Sequence, residues 1–166
     1  MNSSYSLKEI QLRFSVPQHV LIHLCEKGVI KPDVADPQGR GKVREFSDRN
    51  VFEFAVALEL RKYEMPISRI GIVIKILEAF EKAVGKSVNG FQLPLSLHKG
   101  PSVVFYLFDG KQAIFSLGKA TFISFRLDKL ILGENKKMQA EKIKSLPTEY
   151  ASYLMMDLSD LASKNK

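Results

Sequence analysis

One cysteine, Cys25, is all that the 166-residue chain contains, so neither an internal disulfide framework nor a multi-cysteine zinc site can form within one copy. That scarcity fits a reducing cytoplasm, which is the expected location. Histidine is nearly as rare, being confined to His19, His23 and His98. No serine or cysteine stands in a motif with a paired base, and no glycine-rich phosphate loop follows a strand-like run. No enzymatic activity and no cofactor are therefore expected. Long apolar runs are missing, because charges or glycines interrupt each one, which excludes a membrane span. Lys8 and Glu9 fall inside the segment from Met1 to Leu12, which is therefore not a signal peptide. No a/d heptad persists over several turns, which excludes a long coiled coil.

The composition that remains is that of a folded protein. Hydrophobic residues make up 45% and charged residues 26%, well away from the signature of disorder. A formal charge of +7 and a pI near 9.5 favour a polyanionic partner, nucleic acid before an acidic membrane surface. The excess is spread along the chain and does not by itself locate a site.

Ser6-Leu7-Lys8-Glu9 reads as a capping box opening a helix that runs to about Phe14, with Leu7, Ile10 and Phe14 as its buried stripe. Ser15 and Val16 make a turn. A second helix follows from Pro17, with Val20, Leu21, Leu24 and Cys25 inside, and ends before Gly28. Two helices joined by so short a turn predict a helix-turn-helix. Pro32 and Pro37 bar a long helix next, and Val29-Ile30 is expected to pair as a strand with Val43 to Phe46. Between them lies a basic loop, Gly39 to Ser47, with Arg40, Lys42 and Arg44 at alternate positions. In an extended hairpin those cations share one face. A run of charge is more often a plain solvated hairpin, but its place between a helix pair and a long apolar helix makes it a wing. Ser47 caps that third helix, with Asp48 in its first turn, Val51, Phe52, Ala55, Leu58 and Lys62 on one face, and Pro66 as its stop. A fourth helix is expected from near Ser68 to near Gly85, burying Ile70, Val73, Ile74, Leu77 and Phe80. Ile72 and Ile76 lie on a second face that something else must cover.

Tyr5-Ser6-Leu7-Lys8-Glu9-Ile10, Val16, Leu21, Lys27-Gly28-Val29-Ile30-Lys31-Pro32, Arg44-Glu45-Phe46-Ser47 and the Ile67 to Leu77 helix follow the order of a MerR-type winged helix-turn-helix. The resemblance covers residues 5 to 80. It implies a DNA-binding domain with a wing and a second helical pair that contacts the phosphate backbone, in a dimeric bacterial transcription regulator. Many such regulators distort promoter DNA, which is indirect readout. It brings in Tyr5 and Arg69 beside Arg44, which matches the family's wing arginine. Two positions depart from the pattern. Where the second helix usually carries an arginine followed by an aromatic, this chain has Ile22 and His23, and Ser15 replaces the usual turn glycine. Direct readout is weakened, leaving Gln18, His19 and His23 as donors on the exposed face, with Gln18 able to pair with adenine. His19 and His23 are also spaced to share a metal ion, but two exposed histidines touching phosphate or water are the plainer reading, and no metal is expected.

The C-terminal half changes period. Residues 86–101, with Asn89-Gly90, Pro94 and Gly100, read as a linker, which divides the chain into a domain at 1–85 and a dimerisation or effector region at 102–166. Val103 to Phe108, the turn signal Asp109-Gly110 and Ala113 to Leu117 predict an antiparallel hairpin. Ala120 to Leu130 resembles Ala151 to Leu161. If the likeness holds, both are strands leading into a capped turn. Asp128 to Leu146 is Lys-rich and expected to be helical, broken at Gly133. Phe105, Phe108, Phe115, Phe122 and Phe125 are expected as core sooner than as a ligand pocket. The fold expected is thus α+β, a winged helix-turn-helix with an added helical pair followed by a small C-terminal α/β region. The expected partners are double-stranded DNA and a second copy of the chain, with a small-molecule effector or RNA polymerase as further candidates. The leading function is a sequence-directed DNA-binding transcription regulator. The alternatives are a winged-helix protein-interaction module and an excisionase-like architectural DNA bender, which share the same fold.

Overall fold

Helix caps and period-2 alternation place most elements of the chain, and the computed structural model describes residues 3–35, 43–127 and 138–165. Among these the fold is α+β. In order it runs β1 (Tyr5–Ser6), α1 (Leu7–Phe14), α2 (Gln18–Glu26), β2 (Glu45–Phe46), α3 (Asp48–Arg61), α4 (Ile67–Gly85), a short 3-10 turn (Leu95–Leu97), β3 (Val103–Phe108), β4 (Gln112–Leu117), β5 (Thr121–Arg126), β6 (Glu141–Ile143), β7 (Tyr153–Asp157) and α5 (Leu158–Lys164). No described helix is long and apolar enough to cross a membrane. Two compact units result, Met1–Ile74 with Asn165–Lys166, and Lys75–Lys164.

In the first unit, α1 starts on the expected capping box, with Ser6 and Glu9 each satisfying the other's backbone amide. It buries Ile10 and ends at Ser15, whose φ of 51° is left-handed. The turn therefore demands the conformation that a glycine would adopt without strain. Ser15 closes α1 and does not cap α2, whose N-cap is Pro17 without a side-chain bond. Gly28, at φ 68°, ends α2. Val29 and Ile30 are not the expected strand. Their amides donate to the Leu24 carbonyl, Val29 at 3.0 Å and Ile30 at 3.3 Å, closing the end of α2 while both side chains enter the core. The strand partner of β2 is β1, antiparallel with Tyr5 opposite Phe46. Ser47 caps α3 as expected. That helix stops at Arg61, before Pro66, and buries most of its circumference, from Val51 and Phe52 round to Phe54, Val56, Ala57 and Leu60. Lys62 is exposed. Phe54 meets Phe46 edge-on at 5.4 Å, a pair worth about 1 kcal/mol beyond burial.

In the second unit, residues 86–101 do not form a free linker, because Phe91, Leu93 and Leu97 are buried and the Leu93 amide donates to Glu81 at 3.3 Å. Its polar turn residues conceal three core side chains. The hairpin of β3 and β4 forms as expected, with Asp109 and Gly110 both at positive φ, the signature of a tight hairpin turn. It is the centre of a five-stranded antiparallel sheet in the order β6-β5-β4-β3-β7. Both repeated stretches are strands, β5 and β7, and the second leads into α5 with Asp157 capping the Asp160 amide at 2.9 Å. Of the region expected to be helical, residues 128–137 lie outside the described residues, and Glu141 to Ile143 form β6 on the edge of β5. Unpaired backbone along β5 outweighs the helical propensity of a Lys-rich segment. Alternation puts Phe105, Phe115 and Phe125 on one sheet face, where Phe80 of α4 stacks on Phe115 at 4.2 Å. Those phenylalanines are core. Phe108 and Phe122 point to the opposite face.

Because Ser15 holds a left-handed backbone, Ser15→Gly should stabilise the protein by about 0.5–1 kcal/mol, the relieved strain exceeding the entropy that a glycine adds to the unfolded chain. A calorimetric midpoint that fails to rise would show that the turn is not strained.

Candidate nucleic-acid interface

The helix pair sets the first part of the site. With Leu21 and Leu24 fully buried, the opposite side of α2 turns outward, so Gln18 and His19 are exposed in its first turn and Ile22 and His23 are half-buried. Among the described residues no group of three or more histidine, cysteine or acidic side chains is placed to hold a metal ion.

The second part is the stem of the basic loop. The Ala35 and Glu45 amides each donate to the other's carbonyl, at 3.2 and 2.8 Å, forming an antiparallel bridge. On its other side Glu45 pairs with Ser6 of β1. Residues 34–35 and 45–46 are thus the two arms, where Val29-Ile30 was expected to be one of them. Arg40 and Lys42, between the arms, lie outside the described residues. Arg44 is half-buried beside the stem, and Phe46, two residues on, is fully buried.

A buried carboxamide fixes the approach to that stem. Asn50, 3% exposed, donates from Nδ2 to the Lys31 carbonyl at 3.1 Å and to Glu53 Oε2 at 3.0 Å. Its Oδ1 accepts from the Asp33 amide at 3.0 Å. Asp33 in turn accepts from the Ser47 amide at 3.0 Å and from the Ser47 hydroxyl at 2.5 Å. The irregular stretch before Ala35 is therefore bonded to the first turn of α3 at both ends of one amide. Glu53, held by Arg49 at 3.0 Å, has its carboxyl pushed above the ordinary value by burial, against the lowering pull of Arg49 and Asn50.

Tyr5 is half-buried and its hydroxyl donates to Asp48 at 2.8 Å, which ties β1 to the start of α3. The Arg13 guanidinium lies over the Tyr5 ring, 4.8 Å from its centroid. Arg69 is exposed near the start of α4. The sheet register brings Tyr5 and the Arg44 stem together, and α2 groups Gln18 with His19. Sequence reasoning overlooked Arg13 and the set of Asp33, Ser47 and Asn50. A polar residue among the apolar positions of α3 is the signal that could have found Asn50, whereas nothing in the local pattern marks Arg13.

Comparison of the chain with protein-family models, with characterised proteins and with solved structures finds no significant match.

Removing the carboxamide in Asn50→Ala leaves the Asp33 amide and Lys31 carbonyl without their partner and should cost about 2–3 kcal/mol in chemical denaturation. A loss below about 0.5 kcal/mol would mean that water replaces the amide at little cost. Glu53 makes a pH prediction. Its raised value means that the linked stability is fully present below the ordinary carboxylate value and is lost as pH rises through the raised one. The melting temperature of the wild type relative to Glu53→Gln should therefore increase between about pH 7 and about pH 4, and a flat or falling difference would contradict the burial effect.

Proposed function

We propose that the first unit is a winged helix-turn-helix of MerR type and that the protein is a cytoplasmic, sequence-directed transcription regulator that binds double-stranded DNA. The observation that carries the reading is the antiparallel closure of Ala35 on Glu45 beside β1. It brings the two ends of the basic stretch, at Ala35 and Glu45, together beside β1, which leads directly into α1. The exposed Gln18 and His19 at the start of α2 supply the groove-facing donors, and a chain charge of +7 supplies attraction to phosphate.

Ile22 sets the balance between the two kinds of readout. A half-buried aliphatic side chain offers no hydrogen bond to a base edge, so α2 contributes few base contacts. Affinity then rests on the wing cations Arg40, Lys42 and Arg44, on Arg69, and on the shape of the duplex. An effector or RNA polymerase would act through the second unit. The exposed apolar Leu12 and Val43 favour, as a second reading, a winged domain that binds a protein.

Fluorescence anisotropy on duplex DNA at graded salt separates the two. Arg44→Ala should weaken binding to specific and random duplexes alike and reduce the log-log salt slope by about one unit. Gln18→Ala should narrow the gap between specific and random duplexes instead. A wild-type protein without duplex affinity at low salt would sink the regulator reading in favour of a protein partner.

A further inference from the structure

The two edges of the five-stranded sheet are finished differently. β6 has three residues, with Glu141 and Lys142 exposed, and a short charged edge resists further strand pairing. β7 has five, Tyr153-Leu154-Met155-Met156-Asp157, without lysine or proline. Among the described residues it pairs only with β3. Tyr153 is 54% exposed and Met155 57%, on the sheet face that also carries Tyr106 and Phe108. The Tyr153 ring already rests against Phe108 at 5.0 Å and Tyr106 at 5.8 Å, so little side-chain freedom remains to be lost on association.

We infer that β7 is a self-association edge, on which a second copy of this chain adds its own β7 antiparallel about a two-fold axis at Met155. Self-complementary pairing points to this occupant, and charge to this edge. Two copies that each carry +7 repel, so they meet best where cations are absent, and β7 has none. An axis at Met155 sets Met155 against its own copy, Leu154 against Met156, and Tyr153 against Asp157. The strand's one charge then faces a phenol and not the other carboxylate. Exposed methionine and tyrosine gain cover on the same face, and two open edges become an interior pair. A contact built on one strand per copy falls below about 1,200 Å², the class of weak interfaces. Association is thus concentration-dependent, and a duplex bearing two half-sites would strengthen it by holding both copies together. That last use rests on the proposed DNA binding, while the contact itself does not.

Sedimentation equilibrium on the full chain without DNA, from about 10 to about 500 μM, should show a reversible monomer–dimer equilibrium. Met155→Lys should abolish it with an unchanged circular dichroism spectrum, and Lys142→Thr on β6 should leave it intact. In a Cys25→Ala background, Met155→Cys should oxidise to a covalent dimer and Tyr153→Cys should not, since only position 155 meets itself across the axis. A chain monomeric at every concentration overturns the proposal, as do dimers insensitive to Met155→Lys and masses that grow beyond two copies. Were Met155→Lys to misfold, the cysteine pair decides. Loss of duplex binding with the dimer intact would refute the DNA reading alone, and duplex binding by a strict monomer would refute only the edge.

Discussion

The Asn50 carboxamide is the constraint on which the geometry of the first unit depends. Residues 31–33 have no regular structure to satisfy their backbone, and an unpaired amide or carbonyl in a buried setting costs on the order of 1–3 kcal/mol. One side chain meets both needs, accepting from the Asp33 amide and donating to the Lys31 carbonyl, and its second amide proton goes to Glu53. Ser47, which caps α3 through Asn50's own backbone amide, is engaged in turn by Asp33. Helix cap, loop path and stem are thus one hydrogen-bonded set, and the site inherits its position from it. The cost is carried by Glu53, whose carboxyl is kept out of water with only Arg49 and Asn50 to compensate.

A different principle organises the second unit. Phe115 stands at the middle of the central strand, with Phe105 at 5.2 Å, Phe125 at 5.9 Å and Phe80 stacked across it. Rings carried by α4 and by three neighbouring strands therefore meet at one point. The sheet needs no polar network to hold its register, because a slip of one residue would drive Phe105, Phe115 and Phe125 onto the other face together. The polar atoms that the sheet does bury pair locally, Ser116 with the Gly118 carbonyl at 2.7 Å and Ser124 with Gln112 at 2.8 Å.

What could be read from the residues divides along the same line. Local rules announced the capping box at Ser6 and Glu9, the Ser47 cap, the extent of α4 and the Asp109-Gly110 hairpin, because each is settled within a few residues of chain. The likeness of Ala151 to Leu161 to the stretch at Ala120 pointed correctly to β7, against the helical content of its methionines. The failures share another cause. Val29-Ile30 were given to the wing on β propensity, yet the end of α2 claimed their amides. Glu141 to Ile143 were given to a helix on lysine content, yet the free edge of β5 claimed them. Phe91, Leu93 and Leu97 were hidden among turn residues. In each case a partner distant in sequence or in element type decided the outcome. For the site, the strand-like run to Phe46 leading into a helix capped by Ser47 was readable, while the tie from Asp33 and Asn50 needed a pairing across irregular chain.

Ser15 and Ile22 shape the helix pair together. A left-handed serine closes α1 at the expense of backbone strain and lets α2 begin three residues later. Ile22, half-buried on α2, offers packing and no side-chain hydrogen bond. Arg13 is a cation held nearby. It projects from α1 over the Tyr5 ring and donates to the Asn165 carbonyl at 3.3 Å, two contacts that restrict the guanidinium's rotamers. Under the proposed DNA binding, a cation already held in place gives up less freedom on meeting a phosphate than a free one.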